Sequence, residues 1–171
     1  AVLAVAGSLL LTLSAKIQVP FWPVPMTMQT FAVLVIGMAY GPRLGAATVA
    51  FYLAQGALGL PVFAGTPEKG IGLAYMAGPT GGYLVGFLVS AYVVGLLARR
   101  GWDRQLLPGL AAMVIGTALI FVCGYAWLAA LIGVGPAFTA GVLPFLPGAV
   151  LKIALAATLL AASWRWVELR R

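Results

Sequence analysis

The sequence has little charge and no histidine. Only 8% of its 171 residues are charged, three acidic and ten basic, against about 25% in ordinary soluble domains. A water-facing surface needs more charge than this. Histidine is the usual acid/base group and metal ligand, and no two of the carboxylates Glu68, Asp103 and Glu168 fall on one helix face. These absences argue against an enzyme and against a metal site.

Further absences narrow the possibilities. The chain has no Gly-x-x-x-x-Gly-Lys-[Ser/Thr] phosphate loop, so it does not hydrolyse ATP itself. Its single cysteine, Cys123, forms no internal disulfide and is interpreted as a packing residue. A net charge of +7 invites a nucleic-acid interpretation. The basic residues mark loops and form no stripe, so no nucleic-acid partner is predicted.

Apolar sequence is what the chain does contain, since 63% of it is hydrophobic. A membrane-spanning helix needs about 20 mainly apolar residues, so a lipid membrane is the expected surrounding. Proline and glycine clusters divide the apolar runs. Cutting there predicts an all-α membrane protein in one domain, 1–171, with six transmembrane helices in a compact bundle. The predicted helices cover 1–17, 26–40, 43–58, 80–98, 108–132 and 147–168.

The basic residues predict the orientation. Short loops rich in Lys and Arg stay in the cytoplasm. With six spans, one side holds both termini, the 2–3 turn and the 4–5 loop, and it carries seven arginines, whereas the other side is near only three lysines. Both termini are therefore predicted to be cytoplasmic. The arginines are Arg43, Arg99, Arg100, Arg104, Arg165, Arg170 and Arg171, and the lysines are Lys16, Lys69 and Lys152.

The outer loops are long, nearly uncharged, and rich in proline, glycine and aromatic residues. Non-helical apolar backbone at membrane depth must be buried in protein or line a cavity. We therefore predict that the outer loops 1–2 and 3–4 close as a lid over an outward-facing ligand cavity. The alternative is a compact loop that only packs the helix ends.

Lys152 is the most informative polar residue. It follows Pro147 by five residues and so lies about a turn inside the sixth helix, in the outer leaflet. A cation inside the membrane costs about 2.5–3.5 kcal/mol on insertion scales and is a functional hypothesis by default. No acidic residue lies within a helical turn of it. We interpret it as facing an anionic ligand. The alternative is a lysine that snorkels to the interface.

Other polar residues gather at the same depth. Helix N-termini carry free N–H groups and the positive end of the helix dipole, so the starts of helices 4 and 6 favour an anion. Aromatic residues of the outer loops supply candidate apolar walls: Trp22, Phe63, Tyr75 and Phe145. The predicted pocket is mostly apolar with a few polar anchors. The candidate ligand-binding residues are Lys152, Gln29, Thr27, Tyr52, Gln55, Thr80, Tyr83 and Thr66.

Small residues recur every four positions in three rows. Such rows let helices approach closely in lipid, either within the bundle or against a partner subunit, and the sequence leaves both uses open. The rows are Gly37, Gly41 and Gly45; Ala46, Ala50 and Ala54; and Gly78, Gly82, Gly86 and Ser90.

Five strings, in order along nearly the whole chain, resemble the BioY family, the biotin-specific substrate-binding (S) components of energy-coupling factor (ECF) transporters. They are Pro23-Val-Pro-Met-Thr-Met-Gln-Thr30, Gly41-Pro-Arg-Leu-Gly-Ala46, Gly59-Leu-Pro-Val-Phe-Ala-Gly65, Gly78-Pro-Thr-Gly-Gly-Tyr83 with Gly86-Phe87, and Pro144-Phe-Leu-Pro-Gly148 with Lys152.

This resemblance implies a six-helix protein of a prokaryotic plasma membrane that captures biotin from outside. It also implies a transmembrane coupling (T) subunit and a pair of cytoplasmic ATPases, which alone use ATP, and no cofactor in this chain. S components of this kind are thought to topple in the membrane when ATP is used. A homo-oligomer is left open.

The sequence departs from the family pattern in two places. Many relatives read Pro-Gly-Asp-x-x-Lys at the start of the sixth helix, whereas here Ala149 replaces the acid. An Ala-x-x-x-Ala pattern often docks the T subunit on the first helix, and here only Ala4, Ser8 and Thr12 approximate it. Two alternatives stay open: the same architecture with another small vitamin-like anion, and a structural or assembly protein with no ligand.

Overall fold

The computed structural model describes residues 1–19, 26–66, 68 and 70–170, and this part of the chain is mostly helical. Apolar residues dominate every long helix, as expected for a chain that satisfies its backbone within the membrane. The helices are α1 (Val2–Lys16), α2 (Gln29–Ala57), α3 (Gly72–Met76), α4 (Gly81–Arg99), α5 (Leu106–Ile132), α6 (Val134–Gly141) and α7 (Leu146–Glu168).

Helix α2 consists of two arms joined at Gly41. This glycine has φ 77° and ψ −180°, a conformation that only glycine adopts without strain, and Pro42 follows it. The chain kinks sharply here, so that a β-carbon at Gly45 would lie 3.3 Å from the Gly37 α-carbon. The sequence predicts the turn between its second and third helices at this place. Gly95 of α4 packs directly on the turn, because a β-carbon there would lie 2.4 Å from the Pro42 nitrogen.

A small hairpin delays the start of α2. The strands β1 (Gln18–Val19) and β2 (Met26–Thr27) pair antiparallel, so the helix predicted from residue 26 begins at Gln29 instead. Hydrogen bonding between strands competes with helix formation for the same backbone groups. The hairpin connects the end of α1 to the first arm of α2.

Two segments predicted as loops contain helices. In the stretch between the predicted helices 108–132 and 147–168, Gly133, with φ 96°, ends α5, and α6 begins directly at Val134. Pro136 lies in the first turn of α6, where its missing N–H costs no intrahelical bond. Within the 3–4 loop, residues 72–76 form the short helix α3. Glycine and proline therefore mark helix ends here more than they mark extended loops.

Glycine rows bring the helix axes together. A β-carbon at Gly37 of α2 would lie 2.9 Å from the Ala91 carbonyl oxygen of α4, and one at Gly86 of α4 would lie 2.8 Å from the Ile120 α-carbon of α5. These distances leave no room for a side chain. The glycine rows of α2 and α4 thus pack inside the bundle, whereas Ala50, in the second arm of α2, is exposed.

Four helical stretches in the described part of the chain are long and apolar enough to cross a membrane, and α1 is a shorter apolar helix of 15 residues. Because such surfaces need lipid around them, the chain is a membrane protein. The four stretches are Gln29–Ala57, Gly81–Arg99, Leu106–Ile132 and Val134–Glu168.

The bundle has two distinct ends. We call one the arginine end, because it holds the Gly41 turn, the connection between α4 and α5, and the C-terminus of α7. Its exposed arginines among the described residues are Arg43, Arg99, Arg100, Arg104, Arg165 and Arg170. We call the other the cavity end, and it holds the starts of α2, α4 and α7.

Candidate ligand-binding site

A cavity opens where three helices begin. Its walls come from the starts of α2, α4 and α7, the middle of α5, and the loop before α3. The space between the walls, with its open mouth included, is about 660 Å³. The lining residues are Thr27, Gln29, Thr30, Leu34, Ala64, Thr80, Tyr83, Phe87, Thr117, Ile120, Phe121, Phe145, Ala149 and Lys152.

Lys152 extends from α7 into this cavity and contacts the start of α2. Its ammonium group donates to the backbone carbonyl of Thr27 and, over 3.2 Å, to the Thr30 hydroxyl. Both acceptors are neutral, and the described residues contribute no carboxylate to this amine. The charge is half-buried and is therefore available to a ligand that brings a negative or strongly polar group.

The helix starts reinforce this preference. The first N–H groups of a helix lack intrahelical acceptors and carry the positive end of its dipole. At the start of α2 the Thr27 hydroxyl accepts the Gln29 N–H over 3.2 Å. At α4 the N-cap residue Thr80 makes no side-chain capping bond to the helix. Three such termini at one cavity favour a polar or anionic end of a ligand there.

Apolar side chains form the rest of the walls. Phe87, Ile120 and Leu34 are buried side chains that line the cavity. The rings of Phe121 and Phe145 lie 6.5 Å apart at a tilt of 48°. An apolar chamber with a few polar groups at one end is the usual form of a small-molecule site, and this one suits a ligand with an apolar body.

Comparison with known proteins gives the family. The BioY family profile matches residues 1–169. The chain belongs to the BioY family. A probable biotin transporter BioY of Pyrococcus horikoshii is 40% identical over 147 residues, which cover 86% of this chain and 85% of that protein. The biotin transporter BioY of Thermotoga maritima is 37% identical over 163 residues, 95% of this chain and 93% of that one.

A solved structure shares the BioY fold described here. It is the S-component for biotin from an ECF-type ABC transporter, and it superposes with a TM-score of 0.79. It covers 95% of this chain and 88% of its own, at 24% sequence identity. The likeness shows a common backbone arrangement.

Five of the eight sequence-predicted ligand residues line the cavity of this BioY chain. They are Thr27, Gln29, Thr80, Tyr83 and Lys152. Two of them also support the walls. The Tyr83 hydroxyl donates to the Gly141 carbonyl over 2.6 Å, and the Gln29 amide donates to the Leu11 carbonyl of α1 over 3.4 Å.

The other three candidates lie behind the cavity. The Tyr52 hydroxyl donates to the Val62 carbonyl over 2.8 Å, and Gln55 accepts a hydrogen bond from Ser8 of α1. Thr66 donates to the Phe63 carbonyl over 2.6 Å. The second arm of α2 turns Tyr52 toward the 3–4 loop and Gln55 toward α1, a rotation that residue depth alone does not predict. Thr66 belongs to the 3–4 loop itself.

Sequence reasoning passed over several lining residues. Thr117 is the clearest case, since it is a hydroxyl in the middle of the otherwise apolar α5, and a polar residue at mid-membrane depth is itself a signal. Phe87 and Phe121 carry no such signal, because buried aromatic residues are common throughout apolar helices. Trp22, a predicted wall residue, lies outside the described residues, as does most of the 1–2 loop.

The 3–4 loop packs firmly against the bundle. Ala64 of this loop lines the cavity. The Trp127 indole N–H of α5 donates to the Gly78 carbonyl over 2.8 Å. Within the loop itself, the Tyr75 hydroxyl donates to the Ala64 carbonyl over 2.8 Å. Burial raises the pKa of Tyr75 above its ordinary value, so this hydroxyl stays protonated and keeps donating at physiological pH.

Proposed function

We propose that this chain is the biotin-binding S component of an ECF-type vitamin transporter. The observation that carries the proposal is a cavity of apolar walls that ends at Lys152 and three helix starts, in a member of a family whose named relatives are biotin transporters. Biotin suits such a site, because its fused ring and aliphatic chain are apolar while its ureido group and carboxylate are polar.

In this proposal Lys152 exchanges protein acceptors for ligand. The ammonium releases Thr27 and Thr30 and donates to a polar end of biotin. A hydrogen bond to a charged group contributes about 1.5–3 kcal/mol. The apolar body lies between Phe121, Phe145 and Ile120, and Thr80, Gln29 and Thr117 supply neutral polar contacts.

The topology belongs to the same proposal. The two arms of α2 count as separate spans, so that α1, the two arms, α4, α5 and α7 form six spans of a single domain, 1–171. The arginine end faces the cytoplasm, in keeping with the preference of Lys and Arg for that side, and both termini lie there. The cavity then opens outward from a prokaryotic plasma membrane.

Active uptake requires partners in this account. Proton- or sodium-coupled transport leaves ionisable residues within the spans, and the three carboxylates lie in loops or at a helix end: Glu68, Asp103 and Glu168. A transmembrane T subunit and cytoplasmic ATPases therefore supply the energy. The exposed residues of the alanine row on α2, Ala50 and Ala54, offer a smooth face for docking, whether to the T subunit or to a second copy.

One departure supports a second candidate ligand. Ala149, at the position where many relatives carry aspartate, leaves Lys152 without an acidic neighbour on its own helix. An uncompensated cation favours a more anionic ligand than an aspartate–lysine pair does. The second candidate is therefore another small vitamin-like carboxylate.

Titration of the purified chain separates these candidates. Biotin, biotin methyl ester and lipoate are titrated calorimetrically into the protein in detergent, after analysis of any ligand that co-purifies. We expect saturable biotin binding and much weaker lipoate binding. The affinity for the methyl ester shows whether the protein contacts the biotin carboxylate. Absence of biotin binding together with tight binding of another carboxylate would replace the proposal with its alternative.

A further inference from the structure

One wall of the cavity is a turn without regular structure. It consists of residues 63–66, which we call the wall turn, and Ala64 of this turn lines the cavity. Phe63 and Thr66 on either side are buried. Backbone carbonyls that belong to no helix or strand need other donors when they are buried. Within the turn, the Thr66 N–H and hydroxyl donate to the Phe63 carbonyl. The remaining donors are side chains from separate parts of the chain.

Lys16 supplies the largest share of those donors. Its ammonium group donates to the Phe63 carbonyl over 3.1 Å, to the Thr66 carbonyl over 2.9 Å and to the Thr66 hydroxyl over 3.1 Å. An ammonium group has three N–H donors, so all three are used on the wall turn. Lys16 is the last residue of α1, where a cation also interacts favourably with the helix dipole.

The two tyrosines that also hold this loop act differently. Tyr75 stacks on the Phe63 ring at 4.9 Å, and Tyr52 meets the same ring edge-on at 5.5 Å. Their rings belong to the buried core, so they support the loop by packing as well as by hydrogen bonds. Lys16 is an exposed residue and contributes no side chain to that core. Its effect on the wall turn comes through its three bonds.

We propose that Lys16 is a positioning residue of the binding site, a tether that fixes the cavity wall to the end of α1. The wall turn opens when these bonds break, and ligand that enters or leaves past Ala64 waits for that event. This gating role rests on the proposed function, whereas the tether itself does not depend on which ligand binds.

The labelling rate of a cysteine at position 64 measures directly how strongly the Lys16 bonds hold the wall turn closed. In a Cys123→Ala background, Ala64→Cys is labelled with a maleimide in purified protein without ligand, and the rate is compared with and without Lys16→Met. Labelling of a buried site follows the population of its open state. Loss of charged hydrogen bonds should raise the rate about tenfold or more, and Lys16→Arg, which keeps charge and donors, should restore most of the protection.

The matched control is Ser8→Ala, which removes another hydrogen bond of α1, to Gln55, and leaves Lys16 in place. We expect labelling at position 64 to stay within about twofold of the parent, since that bond lies outside the wall turn. An equal rise in the Ser8→Ala and Lys16→Met proteins, or no rise with Lys16→Met, would overturn the tether. Protection of position 64 by added biotin tests the proposed function separately, because the comparison without ligand stands whether or not biotin binds.

Discussion

The two ends of this bundle differ in how many polar side chains form hydrogen bonds between separate elements. Glycines bring helix backbones together in both halves of the bundle, as at Gly95 against Pro42 near the arginine end and at Gly86 against Ile120 beside the cavity. At the cavity end, polar side chains such as Lys152, Lys16 and Tyr83 cross between elements and satisfy backbone carbonyls. Close packing of small residues gives stability in lipid without chemistry, whereas polar groups at membrane depth mark function. Ligand recognition and structural support are therefore separable by mutation.

The largest expected effect is a pure loss of stability at the arginine end. Gly95→Ala places a β-carbon 2.4 Å from the Pro42 nitrogen. Because this neighbour is a backbone atom, relieving the clash requires the helices to shift, and we expect a loss of about 3 kcal/mol or more in folding free energy. Thermal unfolding in detergent measures it. The folded fraction should bind biotin normally. Gly135→Ala, with no atom within 4 Å of its β-carbon, is the control and should be neutral.

Lys152→Met should have the opposite profile. It removes the cation of the cavity and leaves the helix packing intact, so biotin affinity should fall by about 1.5–3 kcal/mol. Loss of the bonds to Thr27 and Thr30 should lower the folding free energy by about 1 kcal/mol, less than Gly95→Ala does. Calorimetric titration gives the biotin affinities of the parent and of the Lys152→Met protein. Arg165→Met removes a cation from the other end of the same helix and should leave affinity unchanged. Wild-type biotin affinity in the Lys152→Met protein would contradict the claim that ligand recognition depends on the polar side chains of the cavity end.

Tyr83→Phe sharpens the comparison within the cavity end. The hydroxyl already donates to Gly141, so its loss should lower stability by about 1 kcal/mol and change biotin affinity less than Lys152→Met does. Tyr125→Phe removes an exposed and longer bond, 3.3 Å to Val134, and should cost less stability. A larger affinity loss for Tyr83→Phe than for Lys152→Met would reassign the principal ligand donor.

Ala50→Leu should have the smallest effect on the isolated chain. Ala50 is exposed on α2, so folding and biotin binding should stay within experimental error of the parent. If the alanine row docks the T subunit, ATP-driven uptake in reconstituted vesicles should fall while binding persists. Ala91→Leu, at a buried helix contact with Gly37, is the contrasting control and should prevent normal folding. Normal uptake by Ala50→Leu would move the docking surface elsewhere.

The sequence predicts more of the architecture than of the ligand-binding site. Helix breaks at Gly41 and Gly101 are readable because glycine tolerates the positive φ these turns require. Lys152 could be predicted as a site residue because a charged residue at membrane depth is costly and usually functional. Tyr52 and Gln55 share the depth of the cavity, yet the rotation of the second arm of α2 turns them toward the 3–4 loop and α1. Helix rotation depends on packing of the whole bundle, which no local pattern encodes.

The role of Lys16 was beyond sequence reasoning for a related reason. Its three acceptors lie 47 and 50 residues away in the chain, in a turn whose path is set by the buried ring of Phe63. Long-range contacts of irregular backbone leave no periodic signal in a single sequence.

The central claim is that the cavity beside Lys152 is the biotin site, and an experimental structure of the chain with biotin tests it most directly. The account predicts biotin between Phe121 and Phe145, with one polar end within hydrogen-bonding distance of the Lys152 amine and with the bond from that amine to Thr30 broken. Biotin bound elsewhere, with Lys152 still held by Thr27 and Thr30, would contradict it.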